Sequence, residues 1–266
     1  MFGKKRRLFR PQIKPRRTGK IGNLLKKLLS LAILVFLIYL FFFSSYFLVS
    51  EIYIAEENID NMALGEEIKA GAKKGIGKNI IFLDTDELNT KIFGSFPQLQ
   101  NLQIEKDYPK SLKISFTEFP LAANVNNEAP NLKKSYIINS MGYAIEEDLK
   151  STTLPTITIK SAEPLNTANP IIEAQKLNYI LNAKTYFEEK FGMKVKEILY
   201  KPQAREVHLI TEKNFAIWLD IQKSAEDQLK KLKKALVKLN IFNDPLLYID
   251  LRIAGGNGDK IIYKRR

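Results

Sequence analysis

The residues that could do covalent or metal chemistry are few, and they do not cluster. The 266-residue chain has one histidine and no cysteine. Zinc centres and Ser/Cys–His relays draw on groups of such residues. His208 lies in Glu206-Val207-His208-Leu209-Ile210, an alternating segment that reads as a strand with His208 on the face of Glu206 and Ile210. An ordinary strand residue is the expected role. Gly75-Ile76-Gly77-Lys78-Asn79 approaches a phosphate-binding loop, but Asn79 stands where the hydroxyl should follow the lysine. Glu146-Glu147-Asp148 supplies neighbouring carboxylates, yet reads as a polar loop with no aromatic platform for a sugar beside it. Gly-x-Ser-x-Gly is also missing from the sequence. The chain is therefore expected to be no enzyme, with no catalytic residue, no metal ligand and no cofactor.

Backbone chemistry remains. A sheet with a free edge presents N–H and C=O groups to which an extended segment of another protein can add as a further strand. The natural candidate is the end of the chain: Tyr248-Ile249-Asp250-Leu251-Arg252-Ile253, a turn at Gly255-Gly256-Asn257-Gly258, and Lys260-Ile261-Ile262-Tyr263. Tyr248, Asp250 and Arg252 should share a face if their segment is a regular strand. Together with Ile253, Lys260, Ile261 and Tyr263 they form the candidate partner-binding set. The competing role for the first three is internal, with Asp250 and Arg252 paired to sheet neighbours and Tyr248 packed in the core.

The elements that would position this margin begin with a charge-free stretch of 22 residues, Leu28 to Val49. As a helix it would be about 33 Å long, enough for a hydrocarbon core of about 30 Å. Eleven Lys and Arg residues and no acid precede it, whereas Glu51, Glu56, Glu57 and Asp60 follow. Basic flanks stay in the cytoplasm, so residues 1–27 are expected inside and the chain from Ser50 onward outside. The stretch is too long for a signal-peptide apolar region, and Phe47-Leu48-Val49-Ser50-Glu51 has no small-x-small cleavage pair. An uncleaved anchor is expected. Phe41, Phe42, Phe43, Tyr46 and Phe47 crowd its outer half, where aromatic rings seat at a membrane interface.

The net charge of +13 does not imply nucleic acid. Only 11 of the 42 bases lie in the tail, leaving 31 bases against 29 acids beyond it. A basic tail beside a bilayer is explained by topology and anionic headgroups. Without cysteine the external part must be held by a hydrophobic core, and about 216 residues suffice for one or two domains.

The external chain opens with a strand at 51–55, followed by Leu64, Ile68 and Ala72 at helical spacing. Asp84 with Glu87 marks a second helix carrying Leu88, Ile92 and Phe93. After Phe96-Pro97 the period becomes two: Leu102 and Ile104, a turn at Tyr108-Pro109-Lys110-Ser111, then Leu112, Ile114 and Phe116. The predicted order is strand, helix, helix, strand, strand. Farther on, strands are expected at 135–139, 143–145 and 154–157. A helix should run from Asn169 to Gly192 with Ile172, Tyr179, Ile180, Ala183, Phe187 and Phe191 on one face. Strands near 195–200, 206–210 and 215–219 follow, and Ser224 opens a helix with Leu229, Leu232, Leu236 and Leu239 inside and Lys230, Lys231, Lys233, Lys234 and Lys238 on a solvated face.

Several of these segments resemble the FtsQ/DivIB family of bacterial division proteins. They are Gly77-Lys78-Asn79-Ile80-Ile81-Phe82-Leu83-Asp84, Phe96-Pro97, Tyr108-Pro109-Lys110-Ser111-Leu112-Lys113-Ile114 and Glu118-Phe119-Pro120-Leu121-Ala122, then Gln228-Leu229-x-x-Leu232 and Tyr248-x-Asp250-Leu251-Arg252. The family's glycine after the first strand is replaced by Glu56-Glu57-Asn58.

The resemblance implies an α+β protein with a cytoplasmic tail (1–27), a transmembrane helix (28–49), a membrane-proximal POTRA domain (50–120) and a mixed α+β domain (121–266) ending in antiparallel strands. It implies a scaffold at the division septum of the inner membrane, regulating septal peptidoglycan synthesis. Its C-terminal margin would receive FtsB (DivIC)-like and FtsL-like proteins, with FtsK, FtsW and FtsI as further septal partners and lipid contacted through one helix. A membrane-anchored cell-wall enzyme and a POTRA-type chaperone or secretion accessory are the alternatives. The secretion proteins of that type continue into a β-barrel for which this chain is too short.

Overall fold

Twenty-five residues without an acid, rich in leucine and phenylalanine, form helix α1 (Gly19–Phe43), and its Gly22–Phe43 portion is long and apolar enough to cross a membrane. The helix stops at Phe43 and does not reach Val49. Ser44 is extended and its hydroxyl accepts from the Tyr46 amide, opening a 3₁₀ turn at Ser45–Phe47. The computed structural model describes residues 19–128, 134–147, 149–161, 163–253 and 260–266. Two compact units are present, one of residues 1–92 with 103–115 and one of 93–102 with 116–266.

After α1, β1 (Glu51–Ile54) is followed by a 3₁₀ turn (Glu56–Asn61), α2 (Met62–Ala72) and α3 (Thr85–Phe93). Next come β2 (Leu99–Asp107) and β3 (Ser111–Glu118), of which 103–107 and 111–115 belong to the first unit. This is the order expected from the sequence. The sheet order is β1-β3-β2, with β1 parallel to β3 and Ile52 opposite Leu112. Leu64, Ile68 and Ala72 are buried along α2 as their spacing requires. Gly65 lets this helix approach β1, since a Cβ there would lie 2.5 Å from the Ile54 side chain. Asp84 caps α3, its Oδ1 accepting from the amides of Asp86 and Glu87 at 3.0 and 2.9 Å. Ile92 is buried, while Phe93 stands exposed and is not part of the apolar stripe.

The second unit holds a nine-stranded sheet in the order β12-β11-β10-β9-β8-β7-β4-β5-β6. Its strands are β4 (Leu121–Asn127), β5 (Ser135–Asn139), β6 (Ala144–Glu147), β7 (Thr156–Ile159), β8 (Val195–Lys201), β9 (Glu206–Thr211), β10 (Ala216–Asp220), β11 (Leu246–Asp250) and β12 (Ile262–Arg265). Helices α4 (Ala174–Phe191) and α5 (Ala225–Ala235) place Leu177, Ile180, Phe187, Leu229 and Leu232 in one core with Ile198, Leu209, Ile217 and Ile249. By strand alternation Glu206, His208, Trp218 and Tyr248 stand on the opposite side.

Besides the end of α1, several boundaries differ from expectation. Helix α5 ends at Ala235, so Leu236, Lys238 and Leu239 lie beyond it. Helix α4 begins at Ala174, because the Ile171 amide is held by the Gly142 carbonyl at 2.8 Å. A Cβ at Gly142 (φ +86°) would lie 1.7 Å from the Ile172 carbonyl oxygen, so only glycine fits that turn. Glu146 and Glu147 belong to β6, paired across from Ile137 and Tyr136, and do not form a loop. Strand β11 ends at Asp250 because its carboxylate accepts from the Arg252 amide at 3.0 Å and turns the chain, so Arg252 and Ile253 lie beyond the strand. Strand β12 is shifted forward, leaving Lys260 and Ile261 before it. The expected turn at 255–258 and Asp148 lie outside the described residues. Gly192 ends α4 in a left-handed conformation (φ +65°), as expected.

Candidate functional site

The seven candidate residues fall into two groups. Tyr248, Asp250 and Arg252 gather around Trp218. Trp218 faces His208 across β9 and Asp250 across β11 in the sheet register, and Tyr248 lies opposite Ala216. The Trp218 ring stacks on His208 at 4.8 Å and on Tyr248 at 4.2 Å, with interplanar angles of 13° and 10°. These separations match the roughly 4.8 Å spacing of neighbouring strands. The three rings therefore form a stacked row across β9, β10 and β11, with Trp218 between His208 and Tyr248.

Arg252 closes this ladder. Its guanidinium carbon lies 5.0 Å from the Trp218 ring centroid, close enough for a cation–π contact. Nε and Nη2 donate to both oxygens of Asp250 at 2.9 and 2.6 Å, and Nη1 donates to Glu206. The other Glu206 oxygen meets His208 Nε2 at 2.8 Å and Lys201 Nζ at 3.6 Å. Burial drives the His208 pKa below its ordinary value against the opposing pull of Glu206. Burial alone would raise Asp250, but the side-chain and backbone bonds from Arg252 outweigh it and hold the carboxyl below the usual carboxylate range. This group is a satisfied network, as the internal alternative for Asp250 and Arg252 requires, with Tyr248 half-buried in the ladder and not in the core.

Ile253, Lys260, Ile261 and Tyr263 lie at the other group, the sheet margin. Strand β12 is at the end of the sheet and pairs only with β11 among the described residues. All four of its residues are exposed, Ile262 at 47% and Tyr263 at 43%. The Arg266 amide donates to the Pro245 carbonyl at 2.7 Å. By antiparallel alternation the amides of Lys264 and Ile262 face β11, and those of Tyr263 and Arg265 face away. Between this strand and α5 lies a groove of about 550 Å³ lined by Lys231, Val237, Leu239, Ile253, Ile262 and Tyr263. Ile261 packs against the core. The margin is apolar along its middle and basic at its ends, through Lys260, Lys264, Arg265 and Arg266.

Sequence reasoning missed Trp218, Ile262 and Val237. Alternation within β10 sets Trp218 apart from the buried Ile217 and Leu219, and the register with β9 puts it opposite His208. Val237, 90% exposed, follows the end of α5 and carries no periodic signal. Gln228, picked out as part of a motif, pins α5 to β10: its Nε2 donates to the Asp220 carbonyl and the Tyr179 hydroxyl, and its Oε1 accepts from the Asp220 amide. Among the described residues no three His, Cys, Asp or Glu side chains gather to hold a metal ion.

No family model matches the chain, and no curated protein matches it.

Proposed function

We propose that this chain is a single-pass membrane scaffold of the bacterial division machinery, of the FtsQ/DivIB type. Helix α1 anchors it, the basic tail lies in the cytoplasm, and the chain from Ser50 onward lies outside, at the septum. The membrane-proximal unit is the POTRA-like domain. The observation that carries the reading is the outer side of β12, which no further strand covers among the described residues: a short, exposed, basic and apolar strand at the end of a nine-stranded sheet. Such an edge takes up an extended segment through main-chain hydrogen bonds, and its charge suits an acidic one. The partners are FtsB/DivIC-like and FtsL-like proteins, and the role is to position and regulate septal peptidoglycan synthesis without catalysis.

Co-purification from native membranes tests this. Tyr263→Pro removes an outward amide without removing a ladder bond to β11. It is expected to abolish capture of the FtsB/FtsL-like pair while membrane insertion persists. Full capture by that variant would overturn strand addition at β12. Ile261→Pro is a weaker probe, because Ile261 packs on the core.

A further inference from the structure

The end of α1 is tied to the loop that follows α2, residues 76–83. The Val49 amide donates to the Lys78 carbonyl, Gly77 to Val49 and Ile80 to Phe47, at 2.8 to 2.9 Å, and Leu48 bridges Asn79. Phe42 of α1 stacks on Phe82 of the loop at 4.5 Å. The Asn79 side chain donates to the Phe41 carbonyl at 2.6 Å while its oxygen holds the Ile81 amide at 2.9 Å. Phe41 is in the last turn of α1, where carbonyls lack intrahelical donors. A carbonyl left bare at the edge of hydrocarbon is penalised, because no water is there to bond it. A side chain of the loop thus supplies the cap.

This loop is built for a surface. Phe82 is 55% and Ile76 47% exposed beside the aromatic end of α1. From Ile68 to Leu83 the chain has Lys69, Lys73, Lys74 and Lys78 and no acid. Lys106 secures the loop from β2, its Nζ 3.2 Å from the Ile81 carbonyl. Apolar and aromatic tips among lysines, continuous with a membrane-spanning helix, match the chemistry of an anionic headgroup layer.

We infer that residues 76–82 seat in the outer headgroup layer as a second membrane contact, with Asn79 as the clamp that fixes the loop to the anchor. The inference rests on α1 crossing the bilayer, which is part of the function proposed above, and is independent of β12. The occupant is lipid and not a partner protein.

The chain has no cysteine, so an introduced one carries a unique nitroxide label. The full chain is reconstituted in vesicles of phosphatidylethanolamine and phosphatidylglycerol, and collision of the label with oxygen is compared with collision with a water-soluble nickel chelate. Labels at Phe36→Cys, Ile76→Cys and Phe82→Cys are all expected to favour oxygen, most strongly at 36. Adding Asn79→Ala to Phe82→Cys should move that label toward the nickel chelate. A label at 36 in lipid with those at 76 and 82 in water overturns the inference and leaves the anchor standing, opening the patch to a protein partner. All three in water overturn the anchor as well. An unchanged reading in the Asn79→Ala variant overturns the clamp.

Discussion

The Trp218 ladder and the β12 margin are neighbours in one sheet and are built on opposite principles. Around Trp218 every charged group has its counterpart: Arg252 serves Asp250 and Glu206, and Glu206 serves His208 and Lys201. At β12 the side chains are exposed and the outward backbone groups have no strand beyond them among the described residues. The ladder spans β9, β10 and β11 and leaves β12 outside it. A satisfied network carries little further binding capacity, because a partner would first have to break it, whereas an edge strand only exchanges water for a partner's hydrogen bonds.

Variants should therefore separate into two classes, and any that cross over would blur the distinction. The largest effect is expected from Tyr263→Pro, which abolishes capture of the partner pair while the unfolding midpoint in urea stays close to that of the parent. Trp218→Ala does the reverse. It strips the ring between His208 and Tyr248 and should lower stability by about 3 kcal/mol in denaturant titration, with capture retained under native conditions. Arg252→Ala leaves two carboxylates short of a donor and should cost about 2 kcal/mol, again without loss of capture.

A pH effect of smaller size is expected at His208. Because burial lowers its folded pKa below the ordinary 6.5, the unfolded chain binds the proton more readily, and stability falls as pH drops below about 6.5. In His208→Gln this part of the acid-side loss should vanish, as read from unfolding midpoints between pH 7 and pH 5. Lys231→Gln, on the solvated face of α5, should change stability by no more than about 0.5 kcal/mol, and any loss of capture in that variant would come from the groove beside β12.

Much of the fold is legible in the sequence because its signals are local. Asp84 caps α3, Gly192 ends α4, and the alternation at 195–220 gives three strands in their correct places. What resisted reading is set by distant contacts. The start of α4 depends on Gly142 holding Ile171, and the end of α1 depends on loop 77–80 capturing Phe47 and Val49. The candidate site was legible as a segment but not as a division. Tyr248 and Arg252 differ from Tyr263 through Trp218, a residue 30 positions from Tyr248 in the chain. Side-chain alternation places residues on faces, and only the register between strands reveals which face is already occupied.

Strand addition at β12 is tested most directly by amide hydrogen exchange at Tyr263 and Arg265 in the full chain, alone and with the co-purified partner pair. Rapid exchange in the free chain and strong protection in the complex, with Lys264 protected in both, is the expected result. Equal exchange at Tyr263 and Arg265 with and without the partners would contradict it.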